Sequence, residues 1–272
     1  MLFDYHMHLE NGPIRMDWLR EFVEAAARNG IGEIGVSEHM FRFREATPVW
    51  PSWWELQPDC SLDEYVDLIQ RARSLVAPVK IGVEAEYLRG REGEIRDFLE
   101  KAPWDYVIGS VHYIGEWGFD DSARKNEWDS KDVNAAYREY YGLLEEAIRS
   151  GLFDVIGHPD VIKVFGHRPT IDLGAYYDRI ADAAKSCGVA VEVSTAGLRK
   201  PVKEMYPHAD FLRAFARMGV PIVISSDAHY PEHVGFEFAR AIEFAGSMGY
   251  RTITRFSRRI PSQVPLVGEG NG

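Results

Sequence analysis

Seven short apolar runs, at residues 2–5, 33–36, 79–85, 106–111, 154–156, 189–193 and 220–224, are separated by longer segments with a different rhythm. The runs are rich in β-branched residues and fit buried strands. The segments between them, 18–28, 62–75, 135–148, 176–186, 211–217 and 236–247, repeat apolar residues at helical spacing. Alternation of this kind leaves few folds open, because parallel strands need long crossovers and the crossover helices cover the sheet. Gly30, Gly151, Gly188 and Gly219 each fall between a helix and the next strand, where a left-handed cap is expected. The pattern predicts a barrel-like α/β fold in a single domain spanning residues 1–272.

Two connections break the rhythm. Residues 39–60 carry Pro48, Pro51 and Pro58 among Trp50, Trp53 and Trp54, and residues 115–130 form a second long polar stretch. Residues 250–256 alternate like a strand. There is no internal repeat and no linker that would divide the chain. The start of the sequence has no basic segment followed by an apolar one, and no apolar run reaches membrane-spanning length, so the expectation is a cytoplasmic protein without membrane contact. A formal charge of −11 opposes docking along a nucleic acid polymer and favours a small substrate. Cys60 and Cys187 are far apart and outside any Cys-x-x-Cys spacing, which argues against a disulfide framework or a thiolate metal site.

The residues just past each strand carry the chemistry. The runs end, in order, in His6-Met7-His8, Ser37-Glu38-His39, Glu84-Ala85-Glu86, Ser110-Val111-His112, Gly157-His158-Pro159-Asp160, Ser194-Thr195-Ala196-Gly197 and Ser226-Asp227-Ala228-His229. In a parallel barrel all strand C-termini share one face, so these groups converge. Any one of them has an ordinary reading as a packed histidine or a salt-bridge partner. Together they do not, because core packing would not place six of nine histidines at that one end. Imidazole and carboxylate without thiolate suit zinc, iron(II) or manganese. So many donors exceed one tetrahedral site, so two or three divalent ions are expected, with Glu84 or Asp227 able to bridge. Such a cluster activates water and stabilises both oxygens of an in-line displacement, as hydrolysis of a phosphate ester requires. Arg199, after a glycine that permits close approach, is the expected phosphate fork. Lys163, Arg168 and His233 are further substrate candidates, whereas Lys200, Lys203, His167 and His208 are expected at the surface.

The constellation resembles the polymerase and histidinol phosphatase (PHP) family, and within it the stand-alone histidinol-phosphatases, over nearly the whole chain. His6-x-His8, Ser37-Glu38-His39, Gly82-Val83-Glu84, Gly109-Ser110-Val111-His112, Gly157-His158-Pro159-Asp160, Thr195-Ala196-Gly197-Leu198-Arg199 and Ser226-Asp227-Ala228-His229 carry it in order and spacing. The resemblance implies a distorted TIM-like (β/α)7 barrel with a trinuclear site. It would place His6, His8, Glu84 and Asp227 on one metal, Glu84, His112 and His158 on a second, and His39 and His229 on a third. Glu10 is the acid in the loop after the first histidine pair that would complete the third. The implied activity is hydrolysis of the phosphate monoester L-histidinol phosphate by a metal-bridging hydroxide, with Glu84, Asp227 and Arg199 as the catalytic groups. Trp50, Trp53, Trp54 and Trp117 could wall the imidazole, and Glu86, Asp120 or Asp160 could meet the amine. Other readings are a phosphatase for nucleotides, sugar phosphates or phosphotyrosine, an amidohydrolase-like enzyme, or a non-catalytic module. The amidohydrolase reading is opposed by Lys80, which stands at the start of its strand rather than at its end.

Overall fold

The computed structural model describes residues 1–54, 57–75 and 77–266. Strand β1 (Leu2–Asp4) leads to helix α1 (Met16–Arg28), then β2 (Ile31–Val36), α2 (Leu62–Leu75), β3 (Val79–Glu86), α3 (Glu92–Leu99) and β4 (Tyr106–Ser110). A small hairpin, β5 (Tyr113–Ile114) and β6 (Trp117–Gly118), precedes α4 (Val133–Arg149). The chain continues through β7 (Val155–Ile156), α5 (Gly174–Cys187), β8 (Ala190–Ser194), α6 (Ala209–Met218), β9 (Ile222–Ser225) and α7 (Phe238–Ser247), and ends in a hairpin of β10 (Thr252–Ser257) and β11 (Ile260–Pro265).

Seven strands form one sheet in the order β1-β2-β3-β4-β7-β8-β9, every pair parallel. Past the ends of β1 and β9, a parallel bridge between Met7 and Ala228 brings the two edges together, so the sheet curls into the expected barrel. The core is continuous from the strands to the inner faces of the helices. In α4, for example, Ala136, Tyr137, Tyr140, Leu144 and Ala147 are buried, and the Asp132 carboxylate caps its first turn by accepting from the Ala135 N–H at 3.1 Å. The expected caps hold: Gly30, Gly151, Gly188 and Gly219 all have φ between +66° and +71°. Helix α3 is absent from the periodic pattern, because eight residues offer one short apolar stripe, Ile95, Phe98 and Leu99. Among the described residues, no helix is long and apolar enough to cross a membrane.

The C-terminal hairpin lies across the N-terminal ends of the strands. Arg255 grips Glu33 through two bonds of 2.9 and 2.6 Å, Arg259 reaches Asp154 at 2.9 Å, and the Arg258 N–H donates to Asp105 at 3.2 Å. Arg73 adds a 2.5 Å bond to Asp105. Lys80 sits in this same region, 3.9 Å from Glu33, at the end of the barrel opposite the histidines.

Candidate metal centre

The Met7–Ala228 bridge explains why the donors meet. The Ala228 N–H donates to the His6 carbonyl at 3.0 Å, and the His8 N–H to the Ala228 carbonyl at 2.8 Å. Side chains alternate along the extended His6-Met7-His8 stretch, so Met7 faces the core while His6 and His8 share the other side, where Asp227 and His229 meet them. A second bridge, His39 with Glu84, extends the β2–β3 pairing in the same way. The Asp227 backbone sits at φ +49°, a left-handed conformation that a non-glycine residue adopts at some cost.

Glu84 is central. Its Oε1 lies 3.5 Å from His6 Nε2, 3.0 Å from His158 Nε2 and 3.7 Å from His112 Nε2, and its Oε2 lies 3.6 Å from His8 Nε2 and 2.7 Å from His39 Nδ1. Asp227 Oδ1 is 3.7 Å from His6 Nε2 and 3.4 Å from His8 Nε2. Glu10 spans the last pair, 3.5 Å from His39 Nε2 and 3.3 Å from His229 Nε2. Three triads have donor atoms mutually within 4.8 Å: His6, His8 and Asp227; His6, Glu84 and His158; and His8, His39 and His229. All nine predicted donors therefore converge.

Behind them stands a layer of buried carboxylates. Glu192, in the middle of β8, accepts from His6 Nδ1 at 2.6 Å and from the His158 N–H at 2.6 Å, and also bonds the Ser225 hydroxyl. Glu86 takes His112 through Nδ1 at 2.6 Å and the backbone N–H at 2.8 Å. Glu38 accepts the Leu9 N–H at 2.9 Å and faces Arg42 at 3.0 Å. These bonds fix which imidazole nitrogen points inward. Glu86 lines the cavity with both oxygens bonded to His112, whereas Asp160, outside the lining, accepts from the His208 N–H at 2.7 Å and pairs with Lys163 at 2.8 Å. Asp120, 4.0 Å from His112 Nε2, remains at the cavity wall.

Divalent ions fit this arrangement. The Nε2 atoms of His6 and His8, which face Glu84 and Asp227, are buried without hydrogen-bond partners, an unfavourable state that a cation would relieve. The donor set is nitrogen and oxygen only. Burial pushes the Glu84 carboxyl up, but His6 and His39 overcome it and hold it well below its ordinary range. Burial and the neighbouring His39 pull His8 well below its usual value, leaving it neutral as a ligand must be. Burial also opposes the charge on His6, but Glu192, Glu84 and Asp227 outweigh it and raise the imidazole well above its ordinary range.

The cluster floors a cavity of about 390 Å³, of a size for a small ligand. Phe41, Trp54 and Tyr113 form one wall, with Trp54 and Tyr113 ring centres 4.3 Å apart. Trp117 is buried against Trp128, packed beneath its own loop and not at the wall. Four substrate candidates lie elsewhere. Lys163 is buried, donates to the Met205 carbonyl at 2.9 Å and lines a separate cavity with Arg168, which pairs with Glu204 at 2.5 Å. Arg199 turns behind the strand ends, donating to the carbonyls of Ser226 at 2.7 Å and Asp227 at 2.9 Å. His233 packs edge-on against Tyr230, 5.6 Å away, outside the cavity lining. Lys200, expected at the surface, is exposed but lines the cavity. Sequence reasoning missed Glu192, although a lone acid within Val189-Ala190-Val191-Glu192-Val193 is an anomaly that an inward-facing role explains.

Comparison with known proteins agrees with the geometry. A "Probable histidinol-phosphatase" of Deinococcus radiodurans is 39% identical over 95% of this chain and 98% of its own length. A "Histidinol-phosphatase" of Lactococcus lactis is 25% identical over 93% of this chain and 94% of its own. A crystal structure of histidinol phosphate phosphatase from Lactococcus lactis, complexed with zinc, L-histidinol and phosphate, superposes with a TM-score of 0.80 at 24% identity, covering 96% of this chain and 98% of that one. It shares the fold. Residues 4–196 match the PHP domain, and the chain belongs to the PHP domain family.

Proposed function

We propose that the protein is a metal-dependent phosphomonoesterase that hydrolyses L-histidinol phosphate to L-histidinol and inorganic phosphate. The observation that carries this is the convergence of six histidines with Glu10, Glu84 and Asp227 on one cavity walled by aromatic rings and acids. The 39% identical relative, named as a probable histidinol-phosphatase and matched along almost its full length, supports the substrate.

Three ions are the reading the donor triads favour, as zinc, iron(II) or manganese. His6, His8, Glu84 and Asp227 would hold the first, Glu84, His112 and His158 the second, and His39, His229 and Glu10 the third. Bound divalent ions supply charge that lowers the pKa of water towards neutrality and offsets charge on the phosphoryl oxygens. In the reaction a water oxygen adds to phosphorus, the bond to the ester oxygen breaks, and the departing alkoxide takes up a proton. Glu192 and Glu86 keep His6 and His112 in the tautomer that turns Nε2 inward. Phe41, Trp54 and Tyr113 offer flat apolar faces to the imidazole, and Asp120 and Asp121 offer negative charge to the ammonium.

The test is phosphate release from L-histidinol phosphate, run beside mononucleotides, sugar phosphates and phosphotyrosine, with and without chelator. A preference in kcat/KM for L-histidinol phosphate that chelation abolishes supports the proposal. Metal-dependent preference for another ester would reject the substrate, and no phosphatase activity in metal-loaded protein would reject the function.

A further inference from the structure

The connection between β2 and α2 is a loop closed at its neck, and it carries part of the cavity wall. The Cys60 N–H donates to the Arg42 carbonyl at 3.0 Å and the Arg44 N–H to the Cys60 carbonyl at 3.0 Å, so Phe43 and Cys60 pair as in a short parallel ladder. The Glu45 carboxylate accepts from the Leu62 N–H at 3.0 Å and ties the same neck to the start of α2. Beyond the neck, Trp54 stands at the cavity wall against Phe41, with ring centres 6.2 Å apart, and against Tyr113.

Arg42 lies between this neck and the metal centre. Its guanidinium holds Asp59 with two bonds, from Nε at 3.0 Å and Nη2 at 2.8 Å. Its Nη1 faces Glu38 Oε2 at 3.0 Å, an ion pair off the line of a hydrogen bond. Glu38 is fully buried and accepts from two backbone N–H groups, His39 at 3.2 Å and Leu9 at 2.9 Å. Those units belong to His39 and adjoin Glu10, two of the donors proposed for the third ion. One planar cation thus meets both the loop that bears Trp54 and the carboxylate that staples the strand ends bearing Glu10 and His39.

A clasp for the loop alone would not need this arrangement. Asp59 is exposed, and an arginine in solvent could hold it at little cost. Arg42 is instead 7% exposed, and withdrawing a guanidinium and a carboxylate together from water costs free energy that an apolar pair would not. What the pair supplies is a fixed register between two elements, through a rigid fork that a lysine ammonium does not reproduce.

We propose that Arg42 is a positioning residue that couples the aromatic wall to the metal centre, holding the 44–59 loop, and with it Trp54, in register with the backbone that carries Glu10 and His39. The bearing of the wall on substrate rests on the phosphatase reading above.

The experiment compares Arg42→Met, Arg42→Lys and Asp59→Ala with the parent. It reads zinc affinity by chelator competition, amide hydrogen exchange across residues 44–54, and KM for L-histidinol phosphate beside KM for a sugar phosphate. Asp59→Ala releases the loop but leaves Glu38 its cation. It should speed exchange across 44–54 and raise KM for L-histidinol phosphate about threefold to fivefold, with KM for the sugar phosphate and zinc affinity unchanged. Arg42→Met should do the same and also weaken the weakest-held zinc ion about tenfold, as for other groups that orient metal ligands. In Arg42→Lys the ammonium should stay with the buried Glu38, recovering zinc affinity while exchange across the loop remains fast. The proposal is overturned if Arg42→Met keeps parental zinc affinity, if exchange across 44–54 stays parental in Arg42→Met or Asp59→Ala, or if Asp59→Ala loses as much zinc affinity as Arg42→Met. Equal changes in KM for the two esters would likewise overturn it, because a general loss of stability does not discriminate between them. Should Arg42→Met not fold, parental exchange in both Arg42→Lys and Asp59→Ala refutes the coupling. A parent protein inactive on L-histidinol phosphate would defeat the functional reading separately, and the zinc and exchange readouts would still decide this one.

Discussion

Replacing Glu192 by glutamine isolates the role of the carboxylate layer behind the metal centre. Glu192 is fully buried and serves three donors: His6 Nδ1 at 2.6 Å, the His158 N–H at 2.6 Å and the Ser225 hydroxyl. Glutamine keeps the shape but has one acceptor oxygen and an NH2 group in place of the other. If that oxygen stays with the His158 N–H, the NH2 group faces His6 Nδ1 and forces it to accept. The ring proton then moves to Nε2, the atom 3.5 Å from Glu84 and 3.7 Å from Asp227, and a protonated nitrogen cannot ligate. A charge-assisted hydrogen bond contributes ~1.5–3 kcal/mol, and the loss of a carboxylate partner to a metal-bound histidine lowers metal affinity about 10–100-fold, which is the same range. Glu192→Gln should therefore bind zinc about 10–100-fold more weakly in chelator competition, with much of kcat returning at saturating metal. Unchanged zinc affinity in a variant that melts like the parent would refute the reasoning, because it would mean that the tautomer of His6 is set elsewhere.

Three further perturbations probe the same geometry. Removing metal by dialysis against chelator should lower Tm, since an ion at about 100 times its Kd stabilises by about 2.7 kcal/mol; a chelated protein that melts with the loaded one contradicts a metal-filled cluster. Burial raises the Glu33 carboxyl, but Arg255 and the Tyr5 hydroxyl outweigh it and hold it below its ordinary value. The stability it contributes is therefore present above the unfolded value of about 4.3 and fades as pH falls through the folded value. Glu33→Gln should cost about 1–2 kcal/mol at neutral pH, a modest figure because Arg255 is partly open to solvent, and should flatten the acid side of the Tm–pH curve; an identical acid limb would contradict the assignment. Trp54→Ala should raise KM for L-histidinol phosphate about tenfold while barely changing KM for an ester without an aromatic group; equal effects on both would remove Trp54 from the imidazole wall.

The sequence made the barrel and the donor set legible because both depend on local pattern. Strand–helix alternation is periodic, and the donors sit at one recurrent place, the strand C-termini, so His6, His39, His112 and His158 could be placed without knowing any contact. What it could not reveal depends on which way a side chain turns in three dimensions. Arg199 and Lys200 are neighbours, and only the fold shows the guanidinium behind the strand ends and the ammonium in the cavity. Lys163 stands in the loop beyond β7, as a substrate contact would, but Asp160 and the Met205 carbonyl capture it. Helix α3 and strand β11 leave little trace in the sequence because one is too short for a period to repeat and the other, Ile260–Pro265, has prolines and exposed residues where a strand signal would be.

The seam of the barrel has a bearing on how the molecule holds together. Six sheet pairings are continuous ladders or part-ladders, whereas β1 and β9 meet, among the described residues, through the Met7–Ala228 bridge and the Asp4 carboxylate, which accepts the Ser226 N–H at 3.0 Å. On either side of that bridge stand His6 and His8 from one edge and Asp227 and His229 from the other. An ion held by residues from both edges would stitch the weakest joint of the cylinder, making metal loading a step in its closure as well as in its chemistry. Amide hydrogens at His8 and Ala228 would then report the stitch directly, exchanging slowly with the ion in place and faster without it, while those deep in β3 and β4 stay protected in both states.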